Sequence, residues 1–191
     1  MKRICLYIIA FTLAITSISC QGGKSEKAQK QQLSDRQELE QLYHIADSIY
    51  YKCGRIDTAA FGKFINKATA FVEQYPQDTI APAMLYRAGI GSMILAKAAD
   101  GQVQTAHYCK KAIAIFDQFQ KSYPNHPQAD YCFYQRGIIY DDILGDWNSA
   151  EVEYKDFINR HKEDSLAIQL SEYIKLLGKS EDEIYQNITG K

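Results

Sequence analysis

The sequence predicts an all-α protein made of antiparallel helix pairs that stack one against the next. One observation behind this is a segment that recurs three times without gaps, beginning at Phe71, Phe119 and Phe157. The other is the spacing of the apolar and aromatic side chains around these segments, which lie three and four positions apart, as on one face of a helix. Repeated units that bury a shared core account for both observations.

The chain begins with the features of a secretory signal peptide. Met1-Lys2-Arg3 is cationic, Ile4–Ile15 is apolar, and mostly small polar residues follow up to Ser19. The apolar run is too short to persist as a membrane-spanning helix. With Cys20 next in the chain, residues 1–19 resemble a bacterial lipoprotein signal. The resemblance implies that Cys20 is acylated and tethers the chain to a membrane outside the cytoplasm. We expect the outer membrane, on its periplasmic face, because no acidic run follows Cys20. The alternative is ordinary secretion, with Cys20 as an incidental thiol.

Residues 20–33 are predicted to form the lipidated cysteine and a flexible tether. The stretch Gln21–Gln32 contains two glycines and no large apolar side chain, so it cannot bury enough surface to fold. Residues 34–191 then remain as one helical repeat domain of ordinary size.

Composition narrows the expected partners and excludes several kinds of site. The chain carries 22 basic and 23 acidic side chains, so no basic excess points to a nucleic acid. Cys53, Cys109 and Cys132 match no metal-binding spacing, and their expected role is that of buried small apolar residues. The sequence leaves open whether two of them form a disulfide. Because the sequence shows no glycine-rich phosphate loop and no nucleophile–base set, we expect a protein that is not an enzyme and needs no metal or cofactor.

The domain is predicted to consist of three helix pairs and a closing helix. The first pair combines a helix over Leu33–Cys53 with a second helix that carries Phe64, Ala68 and Phe71 and stops at Pro76. The second pair has about ten extra residues between its helices. The remaining predicted features are, in chain order, the extra residues within Ala96–Tyr108 with a turn at Asp100-Gly101, the third pair Ala129–Leu144 and Trp147–His161, the closing helix Ser165–Leu177 and the tail Glu181–Ile188.

Small residues are predicted to set the distance between the two helices of the third pair. Gly137 on the first helix and Ala150 on the second allow close approach, and the rings of Tyr154 and Phe157 fill the space beside them. Trp147 is predicted to lie on the same buried face. The apolar face of the first helix is expected to consist of Phe133, Gly137, Ile138, Tyr140 and Leu144.

In the third pair, the first helix carries a glycine and an aromatic residue, and the second helix carries an alanine and further aromatic residues. The residues are Gly137, Tyr140, Gly145, Trp147, Ala150, Tyr154 and Phe157. This pattern resembles the tetratricopeptide repeat. The resemblance implies a short right-handed solenoid whose inner wall is lined by the first helix of each pair.

A second resemblance is carried by the phrase Phe119–Tyr131, followed by Tyr134, Gly137 and Gly145-Asp146. Together with the lipoprotein signal, it is similar to the outer-membrane lipoprotein of the β-barrel assembly machinery, over about Asp78–Lys162. The resemblance implies a non-enzymatic periplasmic scaffold that binds proteins and assists the assembly of outer-membrane β-barrel proteins. That family has five repeats, whereas this chain has room for three and a cap.

Two other functions stay open. One is an envelope or cell-division coordinator of the Tol–Pal type, a family with an N-terminal coiled coil that Leu33–Cys53 is too short to supply. The other is a surface lipoprotein involved in nutrient capture, although no acidic run follows Cys20 as it does in some surface-displayed lipoproteins.

The predicted partner is a protein or peptide of the cell envelope, and the membrane is contacted through the lipid anchor only. Tyr86, three residues before Gly89, and Tyr134, three before Gly137, are expected to reach the groove. Aromatic side chains suit such a surface because they offer large contact area at low entropic cost. The other candidate groove residues are Ile90, Met93, Tyr131, Ile138 and Asp141. The alternative is that both tyrosines pack between repeats.

The anchor is tested by changing Cys20→Ala. Two or more acyl chains hold a protein on a membrane, so the variant should move to the soluble periplasmic fraction while the wild type stays with the envelope. Fractionation after gentle lysis measures this. A wild-type chain found in the soluble fraction would contradict the prediction.

Overall fold

Every regular element in the described part of the chain is a helix. The computed structural model describes residues 18–180 and 182–183, without the side chains of residues 18–24, 51 and 53. The predicted all-α class of packed helix pairs is confirmed. The predicted signal peptide, apart from its last two residues, and most of the predicted tail lie outside the described residues. The helices are α1 Ile18–Cys53, α2 Thr58–Gln74, α3 Ala81–Ala98, α4 Gln102–Ser122, α5 Tyr131–Ile138 continued by a π-helix Ile139–Leu144, α6 Trp147–Arg160 and α7 Ser165–Tyr173.

The chain divides into two compact units, residues 1–41 and residues 42–191. In the first unit the backbone from Ile18 onward is helical, where the sequence favoured a flexible tether. Gln, Lys, Glu and Ala, which dominate this stretch, favour the helical backbone. An ion pair at i,i+4 spacing, Glu26–Lys30 at 2.9 Å, adds to it on the exposed surface. Residues 25–31 of α1 therefore form an exposed polar stretch of helix.

The second unit contains the repeats, and their turns share one backbone conformation. Tyr75, Tyr123 and His161 end the second helices with φ of −130°, −133° and −128°. Each N–H donates to the carbonyl of the phenylalanine four residues earlier, at 2.7, 2.8 and 3.1 Å. Each ring also packs against that phenylalanine, with centroids 4.9–5.5 Å apart. The sequence repeat is therefore a repeat in structure, and it includes the third copy, which lacks the Tyr-Pro pair.

The two helices of a pair meet where a glycine faces an aromatic ring. In the pair α3–α4, a Cβ at Gly89 would lie 2.6 Å from Cε1 of Phe116, which is too close for any other residue without movement. In the pair α5–α6, Gly137 faces the ring of Tyr154 in the same way. The close approach predicted at Gly137 is confirmed, and the ring that requires it belongs to Tyr154.

The extra residues of the second pair lengthen its helices. Helix α3 has 18 residues and α4 has 21, against 8 plus 6 in α5 with its π-helix and 14 in α6. The turn between α3 and α4 lies at the predicted Asp100-Gly101, where Gly101 has a φ of +95° that favours glycine. The α3–α4 hairpin consequently extends beyond its neighbour.

Arg136 is the polar residue that the helix pattern did not place in the core. It is only 5 % exposed and lies on the buried side of α5. Its guanidinium donates to both carboxylate oxygens of Glu153 on α6, at 2.9 and 2.8 Å. It also donates to Gln120 of α4 at 2.7 Å and pairs with Asp117 at 3.1 Å. A buried charge needs such partners, and these join α5 to both adjacent helices.

The predicted buried face of the third pair is wrong at two positions. Trp147 is half exposed, because it occupies the first position of α6, beyond the contact with α5, and its ring covers Gly178 instead. Leu144 is also exposed, at the end of the π-helix. On the first helix, Phe133, Ile138 and Tyr140 are partly buried and pack against the core, and the buried stripe is Cys132, Arg136, Gly137 and Ile139. The pattern of apolar spacing did not include this stripe, because Arg136 is charged.

The glycine contact is tested by comparing Gly137→Ala with Gly62→Ala. The first substitution places a methyl group against the buried Tyr154 ring and should lower the unfolding free energy by about 1–3 kcal/mol. The second lies in α2 with nothing within 4 Å and should raise it by about 0.4–1 kcal/mol. Urea unfolding measures both. Equal stability of the two variants would contradict the proposed contact.

Candidate functional site

The structure places the predicted groove residues at two separate clefts. Tyr86 and Ile90 line one cleft, and Tyr134, Ile138 and Asp141 line another. The repeat register explains this division, because Tyr134 and Ile138 occupy the positions on α5 that Tyr86 and Ile90 occupy on α3. The single continuous groove expected from the sequence is therefore divided into two clefts.

Two other predicted residues have different surroundings. Met93 is 8 % exposed and belongs to the core of α3. Tyr131 packs its ring against Phe157 and donates its hydroxyl to Asp164, the N-cap of α7, at 3.1 Å. Cys20 has a described backbone in α1, but its side chain lies outside the description. Neither Met93 nor Tyr131 lines either of these two clefts.

The first cleft, called here the Tyr86 cleft, has a volume of about 250 Å³. It is formed by α1, α2 and α3 together with the loop before α5. Most of its wall is aromatic or aliphatic, with one acid, one amide and one guanidinium. The lining residues are Tyr43, Asp47, Tyr50, Phe61, Phe64, Tyr86, Arg87, Ile90, Gly91, Ile94 and Gln128.

Spacing along α1 brings three of these residues to one side. Tyr43, Asp47 and Tyr50 are four and three positions apart, so they lie on one helix face. The Tyr43 ring packs against Phe64, with centroids 5.3 Å apart, and its hydroxyl donates to Asp47 at 3.2 Å. The guanidinium of Arg87, on α3, stands 4.4 Å from the centroid of the Tyr43 ring. The carboxylate of Asp47 and the guanidinium of Arg87 therefore both contact the Tyr43 side chain at the cleft.

Tyr86 forms part of the core as well as part of the cleft. Its ring lies 5.6 Å from the centroids of both Phe116 and Phe119. Its hydroxyl accepts a hydrogen bond from Nε2 of Gln135 on α5, at 3.2 Å. Burial raises the pKa of this phenol to about 12. Tyr134 repeats the packing against Tyr154 and Phe157. Both tyrosines thus pack between helices and also border a cleft.

The second cleft, called here the Asp141 cleft, has a volume of about 340 Å³ and lies between α5, its π-helix, α6 and α7. The lining residues are Tyr134, Ile138, Asp141, Asp142, Tyr154, Leu166, Gln169, Leu170 and Tyr173. One carboxylate oxygen of Asp141 accepts hydrogen bonds from Tyr173 at 2.6 Å and from Tyr154 at 3.3 Å. The bond to Asp141 raises the pKa of Tyr173 to about 12.

Sequence reasoning missed the α1 side of the Tyr86 cleft. Asp47, Tyr50 and Arg87 were not among the candidates, because single charged or tyrosine side chains on a predicted helix carry no signal by themselves. The spacing of Tyr43, Asp47 and Tyr50 on one face was the available signal. What it could not show is that Arg87 lies over the Tyr43 ring, because 44 positions separate these residues in the chain.

The described part of the chain offers little support for a metal site or a membrane-spanning helix. Among residues 18–180 and 182–183, no group of three or more His, Cys, Asp or Glu side chains could hold a metal ion. None of the described helices is both long and apolar enough to span a membrane. Cys109 and Cys132 are free and buried, as predicted, and burial raises the pKa of the Cys132 thiol to about 12. The Cys53 side chain lies outside the description.

Comparison with known proteins does not assign the chain to a family. The chain matches no protein-family model, and none of the curated proteins matches it. The functional argument therefore depends on the two clefts and on the sequence features around them.

The role of Tyr86 in the fold is tested by Tyr86→Phe. Because the folded-state pKa is raised from about 10 to about 12, the phenol contributes stability that is fully present below pH 10 and is lost as the pH rises through 12. The stability advantage of the wild type over the variant should therefore shrink between pH 9 and pH 12. Urea unfolding at both pH values measures the difference. An advantage that stays constant would mean that this phenol titrates normally.

Proposed function

We propose that this chain is a non-enzymatic scaffold that binds a protein partner at the Tyr86 cleft. The observation that carries the proposal is the exposed guanidinium of Arg87 over the Tyr43 ring, at the edge of a cleft walled by tyrosine and phenylalanine. Tyr and Arg are the residue types that most often dominate the binding energy of protein interfaces. Such rings offer a large contact area with little loss of side-chain entropy.

The size of the cleft favours a side chain of a protein as its occupant. Small-molecule and cofactor sites usually have volumes of about 300–1,000 Å³ and enclose most of the ligand. At about 250 Å³, the Tyr86 cleft is smaller and open to solvent. It accommodates one or two side chains of a polypeptide that continues across the neighbouring helix surface.

The cellular setting that we propose rests on the sequence. The signal before Cys20 supports a lipid anchor in the outer membrane, with the chain on the periplasmic face. The phrase Phe119–Tyr131 supports a role as an accessory of outer-membrane β-barrel protein assembly. Within this proposal the partner is an envelope protein, and the membrane is contacted only through the acyl chains.

The length of α1 bears on the Tol–Pal-type alternative. This helix has 36 residues, longer than the predicted Leu33–Cys53 and long enough for a coiled-coil segment. A coiled coil also needs apolar residues at two positions of every heptad. The stretch Gln21–Gln32 contains no large apolar residue, so the added length supplies no such seam. The role as an accessory of β-barrel protein assembly is therefore favoured over the Tol–Pal-type role.

Site-specific cross-linking in the lipidated full-length chain tests the proposal. A photoreactive phenylalanine analogue replaces Ile94, which lines the Tyr86 cleft, or Lys110, which is exposed on α4. We expect a cross-linked envelope protein from position 94 and none from position 110. Arg87→Ala should reduce the yield at position 94 about fivefold or more, as expected for a residue worth at least about 1 kcal/mol of binding energy. The unfolding free energy of that variant provides the stability control.

Three outcomes of this experiment are informative. Equal cross-linking at positions 94 and 110, or an unchanged yield in the Arg87→Ala variant, would refute the Tyr86 cleft as the binding surface. A β-barrel protein or a component of its assembly machinery in the cross-linked band supports the assembly role. A Tol–Pal component in its place would transfer the proposal to the coordinator.

A further inference from the structure

The Asp141 cleft has the arrangement of an aromatic box closed by a carboxylate. Tyr134 and Tyr154 have ring centroids 6.2 Å apart with planes inclined at 38°. Tyr154 and Tyr173 are also 6.2 Å apart, with planes inclined at 75°. All three rings line the cleft with Asp141, and two of the hydroxyls hold its carboxylate in place.

The charge of Asp141 is not compensated by a basic residue within the described part of the chain. Its hydrogen bonds come from phenol groups, which orient the carboxylate without neutralising it. The adjacent Asp142 differs in this respect, because Lys97 on α3 pairs with it at 3.3 Å. A negative charge held between tyrosine rings attracts an organic cation, since the faces of the rings are themselves negative.

We infer that the Asp141 cleft binds an arginine side chain of the protein partner, an inference that rests on the function proposed above. A guanidinium is planar and weakly hydrated, so it stacks on tyrosine rings and donates to a carboxylate at the same time. The apolar floor formed by Ile138 and Leu170 accommodates its aliphatic stem. Cleft and ligand are thus complementary in charge and in shape.

The carboxylates of the Asp141 cleft have no counterpart at the equivalent positions of the second helix pair. In the repeat register, Met93 and Ile94 of α3 correspond to Asp141 and Asp142 of the π-helix. The Tyr86 cleft therefore has the apolar Ile94 at the position of Asp142, and Met93, at the position of Asp141, is buried in the core of α3. The Tyr86 cleft contains the guanidinium of Arg87 as well as the carboxylate of Asp47, whereas the charged residues that line the Asp141 cleft are both acidic. Together the two clefts favour a partner segment that carries an apolar side chain and an arginine.

The experiment uses a small probe in place of the partner. The full chain is titrated with N-acetyl-arginine methylamide or with the citrulline analogue, which has the same shape without the charge, and ring signals of Tyr134 and Tyr173 are followed by NMR. We expect the arginine probe to bind about 3- to 30-fold more tightly than the citrulline probe, the range of cation–aromatic interactions. The preference should be lost in Asp141→Asn and retained in Asp142→Asn.

A second variant covers the case in which Asp141→Asn disturbs the fold. Tyr173 is 42 % exposed, so Tyr173→Ala removes one wall of the box at little cost to stability, and the preference for arginine should fall severalfold. Equal binding of the two probes to the wild type, or an undiminished preference in both Asp141→Asn and Tyr173→Ala, would overturn the inference. Probe binding without any cross-linked partner would refute the proposed function alone, and a cross-linked partner without probe selectivity would refute the arginine site alone.

Discussion

The contact between a glycine and an aromatic ring determines most of what this structure can do. At Gly89 and Gly137 the first helix of a pair approaches the second closely enough that the ring of Phe116 or Tyr154 occupies the space of the missing side chain. The tyrosine three positions earlier on the first helix then packs against the same ring and borders a cleft. A side chain at the glycine position would separate the helices and withdraw support from that tyrosine. The two clefts therefore depend on the same contact that makes the pairs.

Arg136 holds one helix pair against the next. An apolar side chain at this position could fill the same space, but it would not fix the position of α5 relative to both α4 and α6. The guanidinium does so because its donors point in different directions, to Glu153 on one side and to Gln120 and Asp117 on the other. Burial makes this arrangement demanding, since the loss of Glu153 or Asp117 reduces the compensation of a buried charge.

The repeat explains why the chain has two clefts, and divergence within the repeat explains why they differ. Tyr86 and Tyr134 keep the same packing, so each pair offers an aromatic wall at the same height along its first helix. The Tyr86 cleft adds an exposed guanidinium from its own helix, whereas the other adds the carboxylate of Asp141 from a π-helical turn. Equivalent helix pairs present different chemistry at successive clefts in this way.

The sequence by itself determined the all-helical class, the three repeat turns, the site of the extra residues and the glycine approach at Gly137, because these follow from local spacing and from residues that only a few backbone conformations accept. Tertiary structure decided the rest. Whether Arg136 is buried depends on carboxylates supplied by other helices, and Trp147 is exposed because its helix begins beyond the contact with α5. The clefts could not be predicted for the same reason. Their walls come from residues far apart in the chain, and no periodicity along one helix records which side chains of another helix will face it.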